Sequence, residues 1–226
     1  MRGGDARRRG PLGGARLAHG AAEPRSDPQG RRRNGRGTLV LIVLSGRPGV
    51  GKTTVAQAVA RELSAAGVPV GGFVTEEVRT GPEAAGSRGA SPSRRGFAVE
   101  DLQSGQRATL ADVSLPGPPR IGRYGVDVEA FERVALPALR RPAGGVLVVD
   151  EVGPMELEST AFRDRIARLA DDPEPAVVTV PARTHPLLER LRAAGDEDAV
   201  TTETRDGLPA SIVARLRRSL RDEEAA

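Results

Sequence analysis

Apolar residues along the chain fall into two kinds of segment, and the two kinds alternate. Residues 39–44 and 146–149 are unbroken aliphatic runs too short for helices, which predicts strands buried on both faces, the first extending to Ser45. Residues 70–78 and 176–180 also read as strands. Between them lie stretches of helical period. The first covers 52–66, with Val55, Val59 and Leu63 on one face and Gly67 just past its end. Asp127 reads as the cap of a helix carrying Val128, Phe131, Ala135 and Leu139, and Pro137 inside it predicts a kink or an early stop. Ser159 caps a helix with Phe162, Ile166 and Leu169, and further helices are predicted over 186–194 and 208–220. Residues 96–102 and 106–111 predict a hairpin around Gln103-Ser104-Gly105, and 199–202 one more short strand. Residues 80–95 are rich in Gly, Ser, Pro and Arg and read as a flexible loop. Alternating strands and helices predict an α/β fold, a mostly parallel sheet with helices on both faces and a small β-hairpin insertion.

Composition changes this picture at one end. Residues 1–37 have almost no large apolar side chains and read as a disordered Arg/Gly-rich tail, leaving 38–226 as the folded domain. The tail holds ten Arg against Asp5, Glu23 and Asp27, a net of +7, while the whole chain is +4. The remainder is therefore −3, and the basicity belongs to the tail. No apolar core follows its Arg cluster, so it does not read as a secretory signal. With four Phe, one Tyr and no Trp, the core must be aliphatic. No apolar run approaches the ~18 residues of a membrane span. The absence of Cys excludes disulfides and a thiol nucleophile and suits a reducing compartment, so we expect a cytoplasmic protein. Two His make a His-based metal site a poor expectation.

Of 34 basic residues, Lys52 is the only lysine. It stands in Gly46-Arg47-Pro48-Gly49-Val50-Gly51-Lys52-Thr53, which fits the G-x-x-x-x-G-K-[ST] phosphate loop, or Walker A, between a predicted strand and a predicted helix. Glycines let backbone N–H groups turn toward phosphates, and the helix N-terminus adds a positive dipole end. Lys52 should reach the β- and γ-phosphates, and the Thr53 hydroxyl should ligate Mg²⁺. Lys is a compact point charge where Arg is a wide planar fork, which explains why a chain so biased to Arg keeps one lysine here.

Such a cradle needs a carboxylate on a second strand. Val146-Leu147-Val148-Val149-Asp150 fits a Walker B strand, with Asp150 at the carboxyl end, where open parallel sheets bind ligands. Glu151 follows directly and is suited to polarise a water for attack on the γ-phosphate. An adjacent Asp-Glu pair favours hydrolysis, because a kinase must keep water away.

Seven segments resemble a known family, the thermophile-type and cancer-related nucleoside-triphosphatases. They are 46–54 (GRPGVGKTT), 72–79 (GFVTEEVR), 95–99 (RGFAV), 121–128 (IGRYGVDV), 131–139 (FERVALPAL), 150–157 (DEVGPMEL) and 200–208 (VTTETRDGL). The resemblance implies a monomeric, RecA-like P-loop NTPase that slowly hydrolyses ATP, GTP and other nucleoside triphosphates with Mg²⁺. It implies nucleotide contacts along 46–53 and along 146–153, including Val152 and Gly153, with Glu151 as the base; Thr54, next to the loop, is a further nucleotide-binding candidate. Three departures stand out. Pro154 replaces a lysine common in the family. Thr204-Arg205 replaces Asn-Arg, although Arg205 stays a candidate for base or sugar contact. The stretch 80–95 is longer than the family pattern.

Weaker candidates are Thr75, Glu76 and Glu77 at the end of the second strand, and Arg79, Arg94 and Arg95 as sources of positive charge. Arg123 precedes a predicted helix, Tyr124 reads as a packing residue, and His185 as a surface turn residue. Two other functions remain open at this point. A small-molecule or nucleotide kinase shares the cradle, with the arginine-bearing segment 80–95 as a lid. A nucleic-acid-associated ATPase would use the basic tail, a contact the sequence does not call for. Deleting residues 1–37 should therefore leave salt-sensitive nucleic-acid retention unchanged in a filter-binding assay; a loss would establish the arm.

Overall fold

The computed structural model describes residues 40–80 and 93–225. The tail 1–37 and most of the segment 80–95 lie outside the described residues. Among those described, nine strands form one sheet. They are β1 (Leu41–Gly46), β2 (Val70–Arg79), β3 (Arg94–Asp101), β4 (Arg107–Asp112), β5 (Arg120–Ile121), β6 (Tyr124–Val126), β7 (Val146–Asp150), β8 (Ala176–Pro181) and β9 (Asp196–Ala199). The helices are α1 (Lys52–Ala65), α2 (Val128–Ala138), α3 (Thr160–Asp171), α4 (Pro186–Ala194) and α5 (Leu208–Glu224).

The sheet order is β5-β6-β4-β3-β2-β7-β8-β1-β9. The strands β2, β7, β8, β1 and β9 pair in parallel, and β3, β4, β6 and β5 extend the same sheet by antiparallel pairing. The expected hairpin is thus part of a larger antiparallel flank that widens the parallel core into a mixed sheet. The parallel core has the buried aliphatic strands predicted for it, and β7 and β8 are buried along their whole length.

Alternation along the strands sorts the core to two faces. Ile42, Leu44, Val146, Val148 and Val177 pack against Val55, Val59 and Leu63 of α1 and Ile212 and Leu216 of α5. Leu41, Val43, Leu147, Val149 and Val178 pack against α2, α3 and α4. Each such aliphatic side chain stabilises the fold by about 1.5–3 kcal/mol through burial. Asp127 caps α2 by accepting from the Ala130 N–H at 2.9 Å, and Ser159 caps α3 by accepting from Phe162 N–H at 2.9 Å. Pro137 falls in the last turn of α2, where it cannot donate an N–H back to the Arg133 carbonyl, and the helix stops at Ala138.

Three boundaries depart from the sequence reading. The short strand lies at Asp196–Ala199, not 199–202. It is an edge strand of alternating partial exposure, and Arg215 of α5 holds Asp196 and Asp198, so it needs no apolar run. Arg94 and Arg95 belong to β3 rather than to a loop, tied across to Glu77 and Asp112. Helix α5 runs past 220 to Glu224, and Arg141 grips Glu223 at 2.8 Å.

Three of the four Phe meet in one cluster between sheet and helices. Phe131 stands edge-on to Phe73 at 5.7 Å and to Phe162 at 5.2 Å. With so few aromatics, this cluster fixes how α2 and α3 seat on β2. Phe131→Ala should lower the unfolding free energy by about 3–5 kcal/mol in chemical denaturation.

Candidate active site

The carboxyl ends of β1, β2, β7, β8 and β9 share one edge of the sheet. At that edge β1 ends at Gly46, and residues 47–51 turn the chain into α1. Gly51 is the N-cap of α1 with φ 110°, a left-handed value that a side chain resists. No side chain caps α1 and no acidic residue occupies its first turn. Its leading N–H groups are therefore left for an anion.

Lys52 opens α1 and is 6% exposed. Its Nζ donates to the Gly46 carbonyl at 3.2 Å and pairs with Glu151 Oε2 at 3.4 Å. One ammonium thus joins the phosphate loop to the Asp150-Glu151 turn.

Asp150, the last residue of β7, is wholly buried. Thr179 of β8 donates its hydroxyl to Oδ1 at 2.6 Å, while Oδ2 is buried without a hydrogen-bond partner. Burial pushes the Asp150 carboxyl up, and Thr179, Thr53 and Lys52 act against that shift. A buried acceptor left open beside the Thr53 hydroxyl fits a hard cation that takes its remaining ligands from phosphate and water. Among the described residues no cluster of three or more acidic, His or Cys side chains could hold a metal by itself.

Burial also raises the Glu151 carboxyl; Lys52 and Arg183 lower it, and Asp150 raises it. A third acid, Glu156, lies in the turn that follows. It is 4% exposed and accepts a hydrogen bond from Gly153 N–H at 3.1 Å. No cation lies within ion-pair distance of it among the described residues. Burial, then the charges of Glu151 and Asp150, push it up to about 8.

A cleft of about 540 Å³ opens above these groups. Its floor is Gly49, Gly51, Lys52, Thr53, Thr54 and Glu151. Its far wall is Thr75, Glu76, Glu77, Arg94, Phe97, Ile121, Pro154, Met155 and Glu156. A second cleft of about 580 Å³ lies on the other side of Gly51, with Thr54, Val55, Ala58, Glu62, Arg205, Asp206 and Pro209. Arg205 Cδ is 3.4 Å from where a Cβ on Gly51 would stand.

Most residues singled out from sequence are therefore assembled at one edge. Some are not in the clefts. Val146, Leu147, Val148, Val149 and Val152 are buried in the core, and their side chains support the site without lining it. Arg47 is exposed, and Val50 packs toward the core face of α1. Arg79 and Arg94 pair with Glu77, and Arg95 with Asp112. Tyr124 packs edge-on against Phe97 at 5.3 Å, and Arg123 lies over its ring. His185 caps α4 by accepting from Leu187 N–H at 3.2 Å. Sequence reasoning missed Thr179 and Glu156. Thr179 did carry a signal, as the one hydroxyl inside an otherwise apolar strand. Glu156 carried none, because a charged residue in a turn reads as solvated.

Glu156 makes stability depend on pH. Its folded value, about 8, lies above the ordinary 4.5, so the neutral form is favoured by folding. That stabilisation is complete below about pH 4.5 and is lost as pH rises toward 8. Chemical denaturation of the nucleotide-free protein should show Glu156→Gln gaining on the parent across this window, by on the order of a few kcal/mol.

Comparison with known proteins agrees with this geometry. A family described as NTPase matches residues 41–213. Nucleoside-triphosphatase THEP1 of Pyrococcus abyssi is 38% identical over 81% of this chain and 96% of its own length. The cancer-related nucleoside-triphosphatase homolog of Bos taurus is also 38% identical, over 79% of this chain and 97% of its own. The crystal structure of THEP1 from Aquifex aeolicus superposes with a TM-score of 0.65 at 31% identity, covering 78% of this chain and 99% of that one. No helix among the described residues is long and apolar enough to cross a membrane. The phosphate loop, the mixed α/β sheet and these relatives together make the chain a member of the NTPase family that includes nucleoside-triphosphatase THEP1.

Proposed function

We propose that the chain hydrolyses ATP, GTP and other nucleoside triphosphates to the diphosphate and phosphate, with Mg²⁺ and with Glu151 as the base. The observation that carries this reading is the Lys52–Glu151 pair, at 3.4 Å, on the floor of the cleft. Open N–H groups of α1 receive the phosphates. Lys52 turns from Glu151 to the β- and γ-oxygens, which exchanges one anionic partner for another. Glu151 is then free to accept a proton from a water lined up on the γ-phosphate. Thr53 and Asp150 are the residues that would hold Mg²⁺, and Thr179 fixes the orientation of Asp150. The ion, when bound, neutralises phosphate charge and aligns the γ-phosphate.

The sugar and base extend past Gly51 toward Arg205, into the second cleft. That cleft offers charge and aliphatic surface rather than a set of base-edge partners, which supports broad base tolerance. One copy of the chain supplies every residue this mechanism uses, so a monomer suffices.

A second reading rests on the far wall of the first cleft, where Phe97, Ile121 and Met155 give apolar surface beyond the phosphate loop. A phosphoryl acceptor seated there would make the chain a kinase. Nucleoside diphosphate formed without matching free phosphate, upon adding a metabolite, would favour that reading.

Phosphate release from ATP, GTP, CTP and UTP tests the proposal. Glu151→Gln should bind Mg-nucleotide within a few-fold of the parent while kcat falls by about 10²–10⁴-fold. Chelating Mg²⁺ should abolish turnover. A parent that binds Mg-nucleotide without releasing phosphate would overturn hydrolysis as the reaction.

A further inference from the structure

The γ-phosphate end of the cleft is short of positive charge. Glu76, Glu77, Glu151 and Glu156 line it, with Asp150 beneath. Lys52 is its one buried cation among the described residues. Arg94 is committed to Glu77, Arg107 to Glu76 and Arg95 to Asp112. Charge that develops on the γ-phosphoryl oxygens in the transition state needs a further cation that is not already neutralised.

Arg183 meets that requirement. It follows β8, the strand inserted between the phosphate-loop strand β1 and the carboxylate strand β7. Pro181 is in register with Gly46, the first residue of the phosphate loop, so Arg183 lies two residues beyond that point. On the other side, Thr179 binds Asp150, and its carbonyl accepts from Val152 N–H at 2.9 Å. The segment carrying Arg183 therefore leaves the sheet between the two halves of the site.

Its backbone is braced. Arg192 of α4 donates to the Pro181 carbonyl at 2.8 Å and to the Arg183 carbonyl at 3.4 Å. Arg192 is held in turn by Glu189 at 2.7 Å and Glu197 at 3.2 Å. The Arg183 guanidinium is exposed and has no carboxylate or carbonyl partner among the described residues.

We propose that Arg183 is a catalytic residue, an arginine supplied in cis that binds the γ-phosphoryl group as charge develops on its oxygens. This rests on the hydrolytic reading above. The fixed backbone and free side chain suit a group that engages only when the triphosphate is present.

The test compares the full-length parent with Arg183→Gln, Arg183→Lys and Glu151→Gln. Arg183→Gln should lower kcat for MgATP by about 10²–10³-fold, with KM within a few-fold of the parent. Arg183→Lys should recover part of the loss. A second readout is free of turnover: the parent should trap MgADP with aluminium fluoride, and Arg183→Gln should not, although both bind MgADP alone. An active parent with Arg183→Gln at parental kcat, or with only a raised KM, overturns the role of Arg183 and leaves hydrolysis standing. A parent with no phosphate release overturns both.

Discussion

Asp150 sits at the end of a strand that the sheet buries along its whole length, and a carboxylate there loses its water. Removing an ion from water costs several kcal/mol even after relaxation. The surroundings offset only part of this: Thr179 donates its hydroxyl to one oxygen, Thr53 and Lys52 also favour the charged form, and the other oxygen is left unbonded. Lys52 is the buried opposite charge, and it also holds Glu151. The site is thus incompletely compensated. Phosphate loop, lysine and acidic strand end are parts of one electrostatic arrangement.

The surrounding architecture keeps that arrangement rigid. Strand β8 lies between β1 and β7, so its carboxyl end abuts both motifs at once. Close approach of strands is part of the design. Gly72 of β2 has φ 103°, and a Cβ there would stand 1.9 Å from the Val148 carbonyl of β7. A side chain at that position would push β2 off the carboxylate strand. The antiparallel flank then carries Phe97 and Ile121 to the far wall of the cleft, giving the phosphate edge a second side.

Acids outnumber cations in the cleft, and this shapes the chemistry. Glu151 and Glu156 approach the same glycine: a Cβ on Gly153 would meet Glu151 Oε1 at 2.7 Å and Glu156 Oε2 at 2.8 Å. Burial, and then the charges of Glu151 and Asp150, push Glu156 up to about 8, which favours its neutral form. Burial raises Glu151 as well, and Lys52 and Arg183 act against that rise.

The sequence by itself determined the parallel core, most helix limits, the phosphate loop and the Asp150-Glu151 strand end. Each is encoded by near neighbours: a period of apolar positions, a cap such as Ser159, a glycine spacing that a lysine closes. Only the tertiary structure decided that Thr179 reaches Asp150, 29 positions away, that Arg94 crosses to Glu77, and that Glu156 is buried. It also set the polar edge strand Asp196–Ala199, which Arg215 stabilises from α5 in place of an apolar pattern. These features depend on which strands become neighbours. A charged residue in a turn carries the same local signal whether the fold leaves it in water or encloses it, so its role emerges only when the sheet closes around it.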